Sequence, residues 1–229
     1  LIFFIKNLYL KKIIFFSSVI LKIFPIFAIQ YFLFLKKNLI KTLVLSIICL
    51  VYFYFIKDQL SYIFYNTPHT SSGTYGSESI ILNLTKHHNL NFNYIYLSLF
   101  LILSSIYLYF MIFKKILINE SYNHVDLFLI GSGIFIFTFI INSSHDYRLI
   151  ALFFCAPLIV KLKIKYFKYF CLFFLILSAE LSRLIFFFGY WGGVINVLFK
   201  IFIFYSVSFI YYDILLKNYK VILKNNFNI

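Results

Sequence analysis

Residues 94–115 read YIYLSLFLILSSIYLYFMIFKK. Positions 94–113 carry no charge, and the run closes on Lys114 and Lys115. At about 1.5 Å per residue a helix of this length covers about 30 Å, the thickness of a hydrocarbon core. Backbone amides placed in hydrocarbon must find their partners within the segment, so the stretch reads as a membrane-crossing α-helix stopped by two cations.

The pattern repeats on both sides of it. Of the 229 residues, 63% are hydrophobic and 12% charged, against about 45–50% and about 25% in soluble chains. With 33 Phe and 20 Tyr, the chain has more apolar surface than a soluble fold of this length buries, and the surplus is expected to face lipid. Further apolar runs cover residues 13–35 (interrupted by Lys22 and Pro25), 39–56, 127–141, 149–160, from about 169 to 178, and 194–216. The run 149–160 reaches only about 18 Å, so it is expected to borrow flanking residues, to run as a tilted or broken helix, or to sit partly within protein. The expected fold is an all-α polytopic transmembrane helix bundle of about six to seven spans. Residues 1–229 form one transmembrane domain, and 57–93 form a polar loop outside the bilayer. The sequence begins at Leu1, not Met, from which an N-terminally truncated chain is expected.

A formal charge of +14 suggests nucleic acid only if the cations share a solvated face, and here they sit in short clusters between apolar runs. No nucleic-acid partner is expected; the partner is the lipid bilayer. The clusters Lys36/Lys37/Lys41, Lys114/Lys115, Lys161 to Lys168 and Lys217 to Lys224 fall on one side if the spans alternate. By the positive-inside rule that side is cytoplasmic. The other side receives the loop 57–93 and the turns 142–148 and 180–193, while Lys6, Lys11 and Lys12 run against the pattern.

Polar residues with chemical capacity collect on that other side. His145, Asp146, Tyr147 and Arg148 stand together at a membrane boundary, where ionisable groups are costly unless paired or functional. The plain structural alternative has Asp146 capping the next helix and Arg148 reaching for headgroups. Glu180 and Arg183, three apart, share a helix face and suit either an interfacial ion pair or a phosphate clamp. His69, His87 and His88 lack the i,i+4 spacing of a metal site, and Cys49, Cys155 and Cys171 lie in apolar runs as packers, so no metal is expected. Gly131-Ser132-Gly133 lies within a span and suits close helix packing rather than phosphate binding. Glu120 and His124, four apart, would share a face if a helix ran through both.

The long polar loop, the turn Asn142-Ser143-Ser144-His145-Asp146-Tyr147-Arg148 entering an apolar run, and the late Glu180/Arg183 turn together resemble the C-terminal half of a bacterial GT-C-type integral membrane glycosyltransferase. The architectural likeness covers residues 39–217, and the sequence likeness covers Asp146-Tyr147-Arg148. The resemblance implies transfer of a sugar from a polyprenyl-phosphate-linked donor at the extracytoplasmic face of the bacterial inner membrane, in cell-surface polysaccharide assembly, without a cofactor. It implies Asp146 and Glu180 as catalytic carboxylates, and Arg148, Arg183 and His145 at the donor phosphate. The family's early extracytoplasmic loop with an acidic residue does not precede residue 39. Two other classes fit a polytopic chain: a transporter or flippase, and a non-catalytic subunit of a membrane complex.

Overall fold

The computed structural model describes residues 8–21, 39–59, 62, 74–75, 77–88, 93–117, 122, 124–141, 144–145 and 150–227. Regular structure among them is helical apart from one two-residue antiparallel pair. Helices α1 (Leu8–Leu21) and α2 (Leu39–Phe55) touch where Phe16 meets Tyr52 edge-on, ring centroids 6.2 Å apart. In α2, Thr42, Leu45 and Cys49 form a buried seam at helical spacing, while Ile40, Ile47, Leu50 and Phe55 remain exposed. A helix apolar on every side but buried along one seam is suited to lipid.

Strand β1 (Thr74–Tyr75) leads into α3 (Ser77–His88), a helix within the polar loop that buries Ile80 and Ile81. The deciding stretch forms α4. It runs as α-helix over Tyr94–Leu108, passes through a π-turn over Tyr109–Phe113, and ends as α-helix over Lys114–Leu117. Asn93 caps its start, the side-chain oxygen accepting from the Ile95 amide at 3.0 Å, which satisfies one of the orphan donors of a helix N-terminus. The buried positions Leu101, Ser105, Tyr109 and Leu117 recur in steps of four, and each step precesses by about 40° on an α-helix. The wider π-turn offsets that drift and keeps Tyr109 and Leu117 on one side.

Helix α5 (Val125–Ile141) is followed by β2 (Ser144–His145), α6 (Ile150–Phe153) and α7 (Ala156–Val160). The break expected in the run 149–160 is present, and Pro157 accounts for it. It has no N–H to give to Phe153, and its ring would meet that carbonyl. The helix stops at Phe153, turns through Phe154 and Cys155, and restarts with Pro157 in the first turn. Both pieces pack on α5. A Cβ at Gly131 would lie 2.4 Å from the Ala151 carbonyl oxygen and 2.9 Å from the Phe154 Cβ, so the close packing expected of this glycine is what α5 uses it for.

Helix α8 (Lys165–Phe227) is continuous in its backbone pattern but is not one rod. The rings of Phe170 and Phe202 lie 5.9 Å apart and those of Phe174 and Phe199 5.1 Å apart. A straight helix would separate the first pair by about 48 Å. The chain therefore folds back on itself between Leu175 and Val197, giving two antiparallel legs where the sequence placed a turn at 180–193.

The directions of the legs order the bundle. Hydroxyls of Ser104 and Tyr205 (2.6 Å), then Tyr109 and Asp213 (2.8 Å), then the Leu117 carbonyl and Lys217 (2.8 Å) pair in ascending order, so α4 and the second leg of α8 run parallel. Helix α5 runs against them, Phe139 stacking on Phe204 at 4.7 Å. Phe113 meets both Phe167 and Phe209. Lys114, Lys115, Lys165 and Lys217 thus gather at one end, here the lysine-rich end. The start of α4, the end of α5, the β1–β2 pair and the reversal of α8 lie at the other, the loop end.

Between the ends, Phe128, Phe135, Phe139, Phe204 and Ile210 form a core closed to solvent. Among the described residues, Tyr94–Leu117 and Val197–Asn218 are long and apolar enough to cross a membrane, and Thr42–Phe55, Val125–Ile140 and Ala151–Val160 are shorter apolar helices. Only 22% of the apolar window of Tyr94–Leu117 is buried in the bundle. The core helix of a water-soluble protein is mostly buried, so this helix is shaped for a surrounding apolar medium.

Candidate functional site

Two polar constellations stand at opposite ends of the bundle. At the loop end, Thr74 pairs with His145 and Tyr75 with Ser144 in antiparallel register, which ties the end of the polar loop to the segment entering α6. Behind this pair the Ser98 hydroxyl lies 2.8 Å from Ser77 Oγ, 2.8 Å from the Tyr94 carbonyl and 2.9 Å from the Ile140 carbonyl. Ser77 Oγ is 3.0 Å from the same Ile140 oxygen. Each hydroxyl has one proton, so the two serines share out these acceptors, and the Ile140 carbonyl near the end of α5 finds a donor. Three elements, α3, α4 and α5, are fastened there by two small side chains.

This arrangement positions the backbone of His145, in β2 beside Thr74. Asp146 and Arg148 lie outside the described residues. Glu180 and Arg183 fall in the helical backbone of α8, on the way from the first leg to the reversal, and their side chains lie outside the described residues. The backbone thus brings His145 and the Glu180/Arg183 stretch to the same end of the bundle. His69 and Glu120 also lie outside the described residues. His124 has a left-handed φ of 59° immediately before α5, and its relation to Glu120 lies outside the described residues.

At the lysine-rich end is a constellation that the sequence pattern did not single out. Asp213 on the second leg of α8 is 3% exposed. Its Oδ1 accepts from the Tyr109 hydroxyl at 2.8 Å, and its Oδ2 accepts from the Tyr122 hydroxyl at 2.5 Å and from Lys217 Nζ at 2.6 Å. Lys217 also donates to the Leu117 carbonyl at 2.8 Å and lies 4.7 Å from the Tyr122 ring centre. A buried carboxylate is tolerated when paired and hydrogen-bonded, and this one has three donors. Lys217 in turn satisfies one of the orphan carbonyls at the end of α4 and sits where the helix dipole favours a cation.

The cluster is a lock. It joins α4, the connector at Tyr122 and α8 through one carboxylate. The π-turn contributes to it directly, since Tyr109 is its first residue, and π-turns recur where a helix re-aims a side chain. Its sequence signal is a carboxylate in an apolar span with a lysine four residues on, which on its own is an ordinary helix-surface pair. The two tyrosines come from 104 and 91 residues away, a distance that no local pattern spans.

The described cysteines, Cys49, Cys155 and Cys171, are buried and unbridged, packed as the apolar context suggested. Among the described residues no three His, Cys, Asp or Glu side chains converge on a point that would hold a metal ion. Comparison with protein-family models, with curated proteins and with solved structures finds no match.

Proposed function

We propose that this chain is a multi-pass protein of about six to seven spans in the bacterial inner membrane, and that it transfers a sugar from a polyprenyl-phosphate-linked donor at its loop end. The single observation that carries this reading is the pairing of Thr74 with His145. It holds the polar loop against the segment that continues into Asp146-Tyr147-Arg148, the stretch whose sequence resembles the glycosyltransferases. The segregation of Lys114, Lys115, Lys165 and Lys217 to the opposite end supports an extracytoplasmic loop end, because cytoplasmic connectors concentrate Lys and Arg.

In this reading the acceptor hydroxyl attacks the anomeric carbon while the bond from that carbon to the lipid phosphate oxygen breaks. The phosphate departs with the bonding electrons, and a carboxylate, Asp146 or Glu180, takes the hydroxyl proton. Arg148 and Arg183 meet the developing phosphate charge as planar, always-charged donors, with His145 beside them. The test is transfer of a radiolabelled sugar from its polyprenyl phosphate by protein reconstituted in liposomes. Arg148→Ala is expected to lose transfer by roughly a hundredfold, the order seen when one stabilising donor is removed, while the protein remains inserted. Full transfer by an inserted Arg148→Ala protein rejects the assignment.

A further inference from the structure

We propose that the lysine-rich end holds one anionic phospholipid, with an acyl chain in an apolar groove and the phosphate between lysines at its mouth. The proposal rests on the membrane reading and is independent of sugar transfer.

The groove is a cavity of about 560 Å³ between α4 and both legs of α8, walled by Leu108, Phe113, Phe167, Phe170, Phe202 and Phe209. Its volume falls within the range of about 300–1,000 Å³ typical of clefts that hold small ligands. The wall continues onto the outer surface, where Phe170 and Phe202 are each about two-fifths exposed, so the groove opens sideways, as a site entered from lipid must. Of the three hydroxyl-bearing residues on its wall, Ser206 donates to the Phe202 carbonyl at 2.8 Å, Tyr205 pairs with Ser104 at 2.6 Å, and Tyr166 is 91% exposed. The rest of the wall is hydrocarbon, which selects an aliphatic chain.

The charge at the mouth selects the headgroup. Lys115 directly precedes Ile116, Lys165 directly precedes Tyr166, and Lys168 is one turn further along the first leg; Ile116 and Tyr166 both line the groove. Lys115 and Lys165 are exposed. Among the described residues the carboxylates at this end are Asp213, engaged by three donors, and Asp126 on α5, which does not wall the groove. A juxtamembrane lysine near an anionic lipid surface contributes about 1 kcal/mol, so three of them discriminate strongly between an anionic and a zwitterionic headgroup of equal chain length.

The experiment is native mass spectrometry of the full chain released from a neutral detergent. It is titrated separately with phosphatidylglycerol, with phosphatidylcholine of identical chains, and with inorganic phosphate. One phosphatidylglycerol is expected to be retained at least tenfold more tightly than phosphatidylcholine, without competition from millimolar phosphate. The triple variant Lys115→Glu, Lys165→Glu, Lys168→Glu is expected to lose that preference, while Lys57→Glu, at a residue that does not line the groove, keeps it. Leu108→Trp, which fills the groove, is expected to weaken both lipids. Equal retention of the two lipids, an unchanged preference in the triple variant, displacement by inorganic phosphate, or a lipid-free dimer covering the groove would each overturn the proposal. Flotation with neutral vesicles checks the membrane reading separately, and sugar transfer by the triple variant is expected to persist.

Discussion

Asp213 shows how little of a membrane bundle's polar chemistry has to be exposed to matter. Removing one partner of a buried charged pair costs about 3–5 kcal/mol, because the other is left uncompensated. Asp213→Ala removes the acceptor of two phenols and the counter-charge of Lys217, which keeps only the Leu117 carbonyl, whereas Lys217→Ala leaves the carboxylate two hydroxyl donors. Asp213→Ala is therefore expected to be the more destabilising of the two, measured as the shift in midpoint of an unfolding titration in mixed micelles. Equal midpoints would show that the lock is held by Lys217 alone, with the tyrosines adding nothing. Gly131 is the steric counterpart. Its missing Cβ would stand 2.4 Å from a backbone oxygen, so Gly131→Ala must push α6 away, at a cost of about 1–3 kcal/mol typical of overpacking.

At the scale of the element, α4 carries the most specific device. Inserting one alanine between Lys114 and Lys115 rotates everything beyond it by about 100° and undoes the phase that the π-turn sets. Leu117 then leaves the side that Tyr109 occupies. The insertion is expected to lower stability by about as much as Lys217→Ala, and the two changes combined are expected to cost little more than either, since both break the bond from Lys217 to the Leu117 carbonyl. Full additivity in that cycle would separate the turn from the lock.

These elements also show what the sequence can carry. The apolar run ending at Lys114-Lys115, the break in 149–160 and the reversal near 180–193 are legible, because length, Pro157 and a polar interruption act locally. The π-turn is not, since its residues Tyr109–Phe113 are as apolar as those before them. The strand pair is not, because Thr74 and His145 belong to separate polar stretches and only pairing relates them. Asp213 is not, because its meaning lies in partners 104 and 91 residues away. Of the candidate catalytic residues, the sequence supplies identity and spacing, and the fold adds the common end of the bundle toward which His145 and the Glu180/Arg183 stretch are directed.

For the whole molecule the gathering of lysines at one end is a statement about orientation. In a variant with Cys49, Cys155 and Cys171 replaced, Tyr75→Cys is expected to react with a membrane-impermeant maleimide added to intact spheroplasts, and Lys163→Cys only after lysis. The reverse labelling would invert the topology and with it the face proposed for sugar transfer. In the unsubstituted chain, buried Cys155 and Cys171 are expected to resist the same reagent until the bundle is unfolded.

The bond from Lys217 to the Leu117 carbonyl spans 100 residues, and that separation sets a schedule for synthesis. A ribosome adding about 5–20 residues per second delivers Lys217 about 5–20 s after Leu117. Through that interval the end of α4 waits without its cation, and the hydroxyls of Tyr109 and Tyr122 wait without their carboxylate. A nascent chain stalled short of Asp213 therefore has α4 and the connector at Tyr122 made but unfastened, in a form more open to proteolysis than the finished bundle.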